Sequence, residues 1–316
     1  MDHGNISAKL AASLLKLKAR IDAANIPPSR LDESINIATW NIREFGKKRR
    51  REESIHFIAE IISQFDLVGL VELRDNLADL GRVLALLGND WRAVYSDMIP
   101  DAGGNRERIA FLYDRRAVVF NGLAAEATAP RRKVGLHYLP ENDFWRAPYM
   151  ASFRSGTLDF VVLTTHAQWG TEEGREEELG LLADWIEGKR RDAVKEDKDL
   201  IVMGDFNIPS RTSKHYKAIT KHGLQVPKGL LLKDPGTNLE KDKRYDQILH
   251  YPEFDVNFSD KGGVLDFFID TAHIKELFPD GLTKEAFTYQ LSDHLPLWTQ
   301  LNTDVSGQRL EQIVQG

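Results

Sequence analysis

The sequence contains no cysteine among its 316 residues. A chain without thiols forms no disulfide, uses no thiolate nucleophile and binds no zinc through sulfur. It also has no stretch approaching the roughly 20 apolar residues that cross a bilayer. Its first residues lack the basic region, apolar run and small-residue cleavage site of a secretory signal. From these absences we expect a cytoplasmic protein with no membrane insertion.

An excess of positive charge is also missing. The chain has 42 Lys and Arg residues against 48 Asp and Glu, so its formal net charge is −6. Any attraction to a phosphate polymer therefore has to be local. Hydrophobic residues make up 42% and charged residues 28% of the chain, which excludes a collagen-like or mostly disordered protein.

Apolar patterning divides the chain into three parts. Residues 1–34 predict a helical extension that Ser7 caps and Pro27–Pro28 ends. Its apolar residues recur at helical spacing: Leu10, Leu14, Leu17 and Ile21. We expect this helix to pack on the main domain, and the alternative is that it binds a partner. Residues 35–302 mix strands and helices without a repeat, which predicts one α+β domain of packed sheets, and residues 303–316 predict a polar tail.

Acids, amides and histidines stand at the ends of the predicted strands: Asn41, Glu72, Glu107, His166, Asp205, Asn207, Asp246, Asp293 and His294. A carboxylate at the end of a buried strand is costly unless it is paired or bound to a cation. Hard oxygen ligands of this kind suit Mg²⁺, Mn²⁺ or Ca²⁺ better than zinc. Each residue alone has a simpler interpretation, as a turn former, an ion-pair partner or a structural histidine. That simpler interpretation would have to hold independently at every strand end, so we favour one shared site for these residues.

These segments resemble the endonuclease/exonuclease/phosphatase superfamily and, within it, the deoxyribonuclease I branch most closely. They occur in the family's order and span roughly residues 35 to 301: Trp40–Gly46, Val71–Asp75, Glu107–Leu112, Thr165–His166, Met203–Asn207, Tyr245–Leu249 and Ser292–Pro296. The resemblance implies an α+β fold in which two packed β-sheets are flanked by helices, a four-layer α/β/β/α sandwich. It also implies a cleft where strand ends from both sheets meet.

Two features separate this chain from other branches of the superfamily. The inositol-phosphatase branch has a Cys-Asp-Arg segment where this chain has Tyr245–Gln247. The abasic-site repair enzymes lack a histidine that matches His166. The combination of His166 with Glu107 therefore indicates the deoxyribonuclease I branch.

The resemblance implies a divalent metal ion, Mg²⁺ with Mn²⁺ or Ca²⁺ as alternatives. Glu72, Asn41 and Asp293 match residues that hold or position this ion. Asp205 and Asn207 match residues that complete the phosphate site and a second cation site. The assignment of each carboxylate to one ion stays open.

The resemblance also implies the proton chemistry. His294, oriented by Asp246, matches the general base that activates water. His166, oriented by Glu107, matches the acid that protonates the leaving oxygen. A carboxylate behind an imidazole fixes its tautomer and raises its pKa. The expected activity is metal-dependent endonucleolytic hydrolysis of phosphodiesters to 5′-phosphate and 3′-hydroxyl ends.

A run of five cations, Lys47–Arg51, follows the first predicted strand. Lys47, Lys48 and Arg49 are candidates for tracking a phosphate backbone at the rim of the cleft, and the alternative is a solvated helix start. Three further arginines match substrate-facing segments of the family: Arg43, Arg74 and Arg146.

One departure from the deoxyribonuclease branch bears on the substrate class. Where the deoxyribonuclease branch has a minor-groove tyrosine, this chain has Asn105. DNA is favoured over RNA, while duplex and single-stranded substrates both stay open. Two rival functions remain: a phosphohydrolase or phosphodiesterase acting on a lipid or small-molecule phosphate, and a non-catalytic binding module that kept the fold.

Overall fold

Strands and helices alternate irregularly in the computed structural model, which describes residues 1–98, 106–129, 131–140, 144–191 and 199–315. In chain order the strands are β1 (Ser34–Phe45), β2 (Leu67–Leu73), β3 (Trp91–Tyr95), β4 (Arg108–Asp114), β5 (Val119–Glu126), β6 (Arg131–Val134), β7 (His137–Pro140), β8 (Tyr149–Ser155), β9 (Leu158–His166), β10 (Leu200–Asp205), β11 (Asp246–His250), β12 (Phe258–Val264) and β13 (Leu297–Asn302). The α-helices are α1 (Ala8–Ala23), α2 (Glu52–Ile62), α3 (Ala78–Leu87), α4 (Glu172–Arg191), α5 (Lys214–Thr220), α6 (Lys228–Lys233), α7 (Ile274–Leu277), α8 (Lys284–Thr288) and α9 (Ser306–Gln315).

The strands form two mixed sheets and a separate β6–β7 hairpin. The first sheet has the order β12-β13-β1-β2-β4-β3, and the second has the order β11-β10-β9-β8-β5. Each sheet contains one parallel pair, β1 with β2 and β9 with β10, and the other neighbours are antiparallel. The carboxyl ends of each parallel pair therefore lie at the same edge of their sheet.

Side-chain alternation along the strands packs the two sheets face to face. In β1, Ile35 and Ile37 belong to the core between the sheets, whereas Ala38 and Trp40 belong to the core beneath the helices. This is the two-residue period of a strand covered on both faces. A Cβ atom on Gly69 would lie 2.6 Å from the Met203 Cε atom, so the sheets approach closely where β2 has no side chain.

Helices cover the outer face of each sheet. Apolar residues of α1, α2, α3, α7 and α8 complete the core on the first sheet, and those of α4 and α5 complete the core on the second. Together these layers form the α+β sandwich of two packed sheets flanked by helices, so the predicted fold class is confirmed. Among the described residues, no helix has the length and apolar character of a transmembrane span.

The N-terminal extension contacts the body of the protein. The side chain of Ser7 accepts a hydrogen bond from the Leu10 backbone and caps α1. The apolar face of α1 is buried in the core on the first sheet. Arg20 of α1 donates from Nη1 to the Phe267 carbonyl at 2.7 Å, which anchors the last turn of the helix.

The C-terminal segment differs from the expected loose polar tail. Helix α9 occupies Ser306–Gln315, and Asp304 Oδ1 accepts a hydrogen bond from the Ser306 backbone at 3.1 Å. An acidic residue at this position satisfies an amide that has no partner within the helix, which favours helix initiation. Three apolar side chains of α9 are exposed: Leu310, Ile313 and Val314.

Candidate active site

The candidate site lies where strands of both sheets end. In the second sheet, Asp205 at the end of β10 pairs with His166 at the end of β9 and with Asp246 at the start of β11. In the first sheet, Asn41 follows Ile35 and Ile37 at two-residue spacing and so points into the layer between the sheets. Asn41 reaches Asp205 across this layer, with its Nδ2 atom 3.0 Å from Asp205 Oδ2.

A backbone irregularity directs Glu72 into the same site. Val71 faces the core between the sheets and Leu73 faces the core beneath the helices, so simple alternation would turn Glu72 away from the second sheet. Glu72 instead has a φ of 65°, and the β2 pairing with β4 shifts register between Leu70 and Leu73. A bulge of this kind redirects a side chain at the end of a strand. Asn41 Nδ2 consequently donates to Glu72 Oε1 at 2.8 Å.

His294 is held by a buried carboxylate. Its Nδ1 atom lies 2.7 Å from Asp246 Oδ2. Burial lowers the pKa of His294, but the charges of Asp246 and Asp205 outweigh burial and hold this pKa well above its usual value. Burial raises the pKa of Asp246 to about 6, against the opposing effect of His294. Both shifts arise within one coupled pair, in which the proton on His294 is stabilised by the neighbouring carboxylates.

His166 has a second, separate carboxylate. Its Nδ1 atom lies 2.8 Å from Glu107 Oε2, and Arg146 Nε lies 2.8 Å from the same oxygen. Burial raises the pKa of Glu107, but the bond to His166 and the nearby arginines outweigh burial and hold this pKa at about 2. Burial and Arg146 lower the pKa of His166. Glu107 and Asp205 raise this pKa by more, so the net shift is upward.

Several donors at the centre of the site suit a divalent cation. One oxygen or nitrogen atom from each of Asp205, Asp246 and His294 lies within 4.8 Å of the others. Asp246 Oδ1 is buried and has no hydrogen-bond partner, which is costly unless a ligand satisfies it. Glu72 adds a further carboxylate oxygen, 3.9 Å from His166 Nε2. This oxygen-rich set fits Mg²⁺ or Mn²⁺.

Asp293, a predicted metal ligand, and Asn207, predicted for the phosphate site, have additional partners. Asp293 has a side chain that is 42% exposed, and its Oδ2 atom lies 3.1 Å from Arg43 Nη1, so it stands apart from the buried group. Asn207 donates from Nδ2 to the Ala167 carbonyl at 2.8 Å, and its backbone amide donates to Asp205 Oδ1 at 2.9 Å. Asn207 thereby ties the end of β9 to the loop after β10.

The predicted substrate arginines occupy different environments. Arg74 is buried and donates to Glu44 Oε1 at 2.5 Å. Arg146 is largely buried beside Glu107. Arg43 is half-buried and stacks on Tyr289, with its Cζ atom 4.1 Å from the ring centroid. The sequence analysis does not identify Glu44 or Tyr289 as a residue of the site. The position of Tyr289, three residues before the Ser292–His294 motif, is the signal that could have identified it.

The basic run divides into exposed and buried residues. Lys47, Lys48 and Arg49 are exposed, and Lys47 Nζ lies 2.6 Å from Glu44 Oε1. Arg50 is buried and donates from Nη2 to the Ile42 carbonyl at 3.0 Å. Burial lowers the pKa of Arg50 to about 10. Arg50 therefore supports the loop after β1, and the first three cations face solvent. Asn105 lies outside the described residues.

The sequence is similar to those of known proteins. The model of the Endonuclease/Exonuclease/phosphatase family matches residues 38–294. Deoxyribonuclease gamma of Rattus norvegicus is 28% identical over 205 residues, which are 59% of this chain and 61% of that protein. The match thus spans less than two thirds of that relative's length.

Solved structures with the same fold share little sequence with the chain. The mannosyl-6-phosphatase of Bacteroides thetaiotaomicron VPI-5482 has a TM-score of 0.58 at 19% identity, covering 84% of this chain and 99% of that one. The catalytic domain of human Nocturnin has a TM-score of 0.56 at 18% identity, and the match covers 87% of this chain and 96% of that one. At such identities the likeness shows the fold alone.

Proposed function

The chain belongs to the endonuclease/exonuclease/phosphatase family, and we propose that within it the protein is a divalent-metal-dependent endonuclease. It cuts nucleic-acid phosphodiesters and leaves 5′-phosphate and 3′-hydroxyl ends. The observation that carries the proposal is the pair of imidazole–carboxylate couples, His166 with Glu107 and His294 with Asp246, on either side of Asp205. The similarity to deoxyribonuclease gamma supports nucleic acid as the substrate.

We assign the cation to the carboxylates of Glu72 and Asp205, which Asn41 Nδ2 brings together by donating to both. Asn41 would contribute its Oδ1 atom, because a protonated amide nitrogen does not bind a metal ion. This assignment leaves Asp246 and His294 for proton transfer.

Asp293 stays a predicted ligand, and this role requires it to exchange its ion pair with Arg43. A bound divalent ion offsets charge on the phosphate and stabilises the transition state. The buried, unpartnered Asp246 Oδ1 adds to the electronegative field at this position.

The two histidines perform opposite proton transfers in this proposal. His166 acts as the acid and gives its Nε2 proton to the leaving oxygen, and the upward shift of its pKa by Glu107 and Asp205 favours the protonated ring that this role requires. His294 has to release its Nε2 proton before it accepts one from water, and positive charge among the carboxylates favours that release. Glu107 and Asp246 hold each ring through Nδ1 and thereby direct Nε2 toward the substrate.

Cations near the cleft bind the phosphate backbone. Lys47, Lys48 and Arg49 are exposed in the loop after β1, so the strand bearing Asn41 leads directly to them. Arg43 stands between this loop and the site, stacked on Tyr289. This local cluster explains how a chain with a net charge of −6 attracts a polyanion.

The test is cleavage of supercoiled plasmid and of end-labelled oligonucleotides by the purified protein, with Mg²⁺ and with excess EDTA. We expect nicking and internal cuts only with the metal, and product ends that a ligase rejoins without prior phosphorylation. A panel of sugar phosphates and phospholipids runs in parallel. Turnover of a member of that panel without cleavage of nucleic acid would establish a phosphohydrolase instead. Binding without turnover of any substrate would establish a binding module.

A further inference from the structure

An exposed tryptophan stands beside the candidate site. Trp169 lies three residues after His166, and its side chain is 63% exposed. An indole is one of the largest apolar groups in a protein, and burying it is strongly favourable. Other large apolar side chains are also exposed among the described residues, so exposure alone assigns no role and the surroundings of Trp169 carry the argument.

The loop that carries Trp169 is firmly held. Arg175 of α4 is buried, and its guanidinium lies 5.0 Å from the Trp169 ring centroid. Arg175 donates to three backbone carbonyls, those of Gln168, Trp169 and Asn207. The backbone amide of Gln168 in turn donates to Glu178 Oε2 at 2.8 Å. The indole is therefore preorganised, and binding to it costs little conformational entropy.

Tyr245 connects this indole to the reacting groups. The Trp169 and Tyr245 ring centroids lie 5.8 Å apart with the rings nearly perpendicular. The Tyr245 ring centroid also lies 5.8 Å from that of His294. Tyr245 directly precedes Asp246, the partner of His294. An aromatic path thus leads from His294 through Tyr245 to the exposed Trp169.

We propose that Trp169, supported by Tyr245, is a stacking platform for an unpaired nucleobase next to the scissile phosphate. A nucleotide carries its planar base one sugar away from its phosphate. The two ring separations of 5.8 Å therefore place Trp169 within reach of a base whose phosphate lies beside His294. Bases in a duplex are stacked on each other and present no free face, whereas unpaired bases stack on aromatic side chains. The inference rests on the proposed function and specifies its substrate: single-stranded nucleic acid, or a strand unpaired at the cut.

The chain offers matched variants for testing the platform. Trp169→Ala removes the stacking surface, and Trp169→Phe keeps a smaller one. The control is Trp145→Ala, which removes another exposed indole, one that is 59% exposed. The backbone amide of Trp145 donates to Glu178 Oε1 at 2.8 Å, so this residue is held by the same carboxylate as Gln168. Within the described residues, no ring contact joins Trp145 to Tyr245. Circular dichroism of each variant checks the fold.

The primary measurement is fluorescence anisotropy of an end-labelled 12-mer single strand and of a blunt duplex of the same sequence, in EDTA so that no turnover occurs. The label is on the nucleic acid, so the readout does not depend on the tryptophan that is replaced. We expect the single strand to bind more tightly than the duplex. Trp169→Ala should weaken single-strand binding by about 5- to 100-fold and leave duplex binding within about twofold. Trp169→Phe should recover most of the binding, and Trp145→Ala should stay within about twofold of wild type. Cleavage of the same oligonucleotides with Mg²⁺ should show the same order.

Failure of the platform and failure of the proposed function give different results. A wild-type protein that cleaves nucleic acid while Trp169→Ala binds single strands normally would overturn the platform alone. An equal loss in Trp145→Ala would also overturn it, because any exposed indole would then serve. A wild-type protein that neither binds nor cleaves an oligonucleotide would overturn both proposals, whether or not it binds phosphatidylcholine vesicles.

Discussion

His166 and His294 face each other across one carboxylate oxygen. Their Nε2 atoms lie 3.8 Å and 3.7 Å, respectively, from Oδ2 of Asp205. His166 ends β9 of the second sheet, whereas His294 lies in the loop before β13 of the first sheet. Each ring is held from behind by its own acid. This arrangement leaves both Nε2 atoms directed into one space, as proton transfer to and from a single ester requires.

The two imidazoles should therefore be separately indispensable. We expect His166→Ala and His294→Ala each to reduce kcat by about 10²- to 10⁴-fold, with thermal unfolding close to that of the wild type. His222→Ala is the matched control, because His222 pairs at the surface with Asp184. The measurement is steady-state cleavage of a fluorogenic oligonucleotide. Near-normal turnover by either site variant would remove its assigned role.

Arg146 should act through Glu107 rather than by binding substrate alone. Its Nε atom shares Glu107 Oε2 with His166 Nδ1, so its loss leaves the Glu107 carboxylate free to turn. We expect Arg146→Ala to lower kcat by about 10- to 100-fold with a small change in KM. Arg154→Ala, an exposed arginine of β8, should leave both constants unchanged. A pure KM effect in Arg146→Ala would favour direct phosphate binding instead.

Metal binding should be detectable without any substrate. We expect Mg²⁺ or Mn²⁺ to raise the Tm of the wild-type protein, since a ligand that binds only the folded state stabilises it. EDTA should reverse this shift and abolish cleavage. Asp205→Asn should lose the metal-induced shift, because Asp205 belongs to the buried donor group. Asp184→Asn, at the surface, should retain it. Differential scanning fluorimetry compares the variants, and full cleavage in excess EDTA would contradict the metal requirement.

Three exposed cations after β1 should bind the polymer electrostatically. Replacing Lys47, Lys48 and Arg49 together by Ser should weaken binding to duplex DNA. It should also reduce the slope of log K against log [salt] by up to about 3, because each released counterion contributes about 0.9. The buried Arg50 is left intact. Arg115→Ser with Arg116→Ser is the control, since both residues pair with Asp90. An unchanged slope would make the run an ordinary solvated surface.

Gly204 should be required for the fold at the site. Its φ is 135°, and a Cβ atom there would lie 2.0 Å from the Thr165 carbonyl oxygen. We expect Gly204→Ala to destabilise the protein by about 2–4 kcal/mol in urea unfolding. Gly188→Ala in α4, where a Cβ meets no atom within 4 Å, should stabilise it by about 0.5–1 kcal/mol. Equal stability of the two variants would contradict the steric argument.

Strand positions followed from the sequence wherever a strand is buried on both faces. Leu200–Gly204 and Tyr149–Phe153 are apolar runs that predict buried strands, and they lie within β10 and β8. Strand β12 has no such run, because Lys261, Gly262 and Gly263 interrupt its apolar pattern, and its pairing with β13 makes it a strand.

The sequence by itself determined the family resemblance, the α+β class and the set of polar residues at strand ends, because alternation and motif order are local properties of the chain. Tertiary structure alone decided which of these residues meet. Glu72 enters the site only because β2 carries a bulge, and Arg50 is separated from its basic neighbours only because the loop after β1 folds over it. The Trp169–Tyr245–His294 path joins residues that are far apart along the chain. Contacts of this kind depend on sheet register and packing, which no short segment encodes.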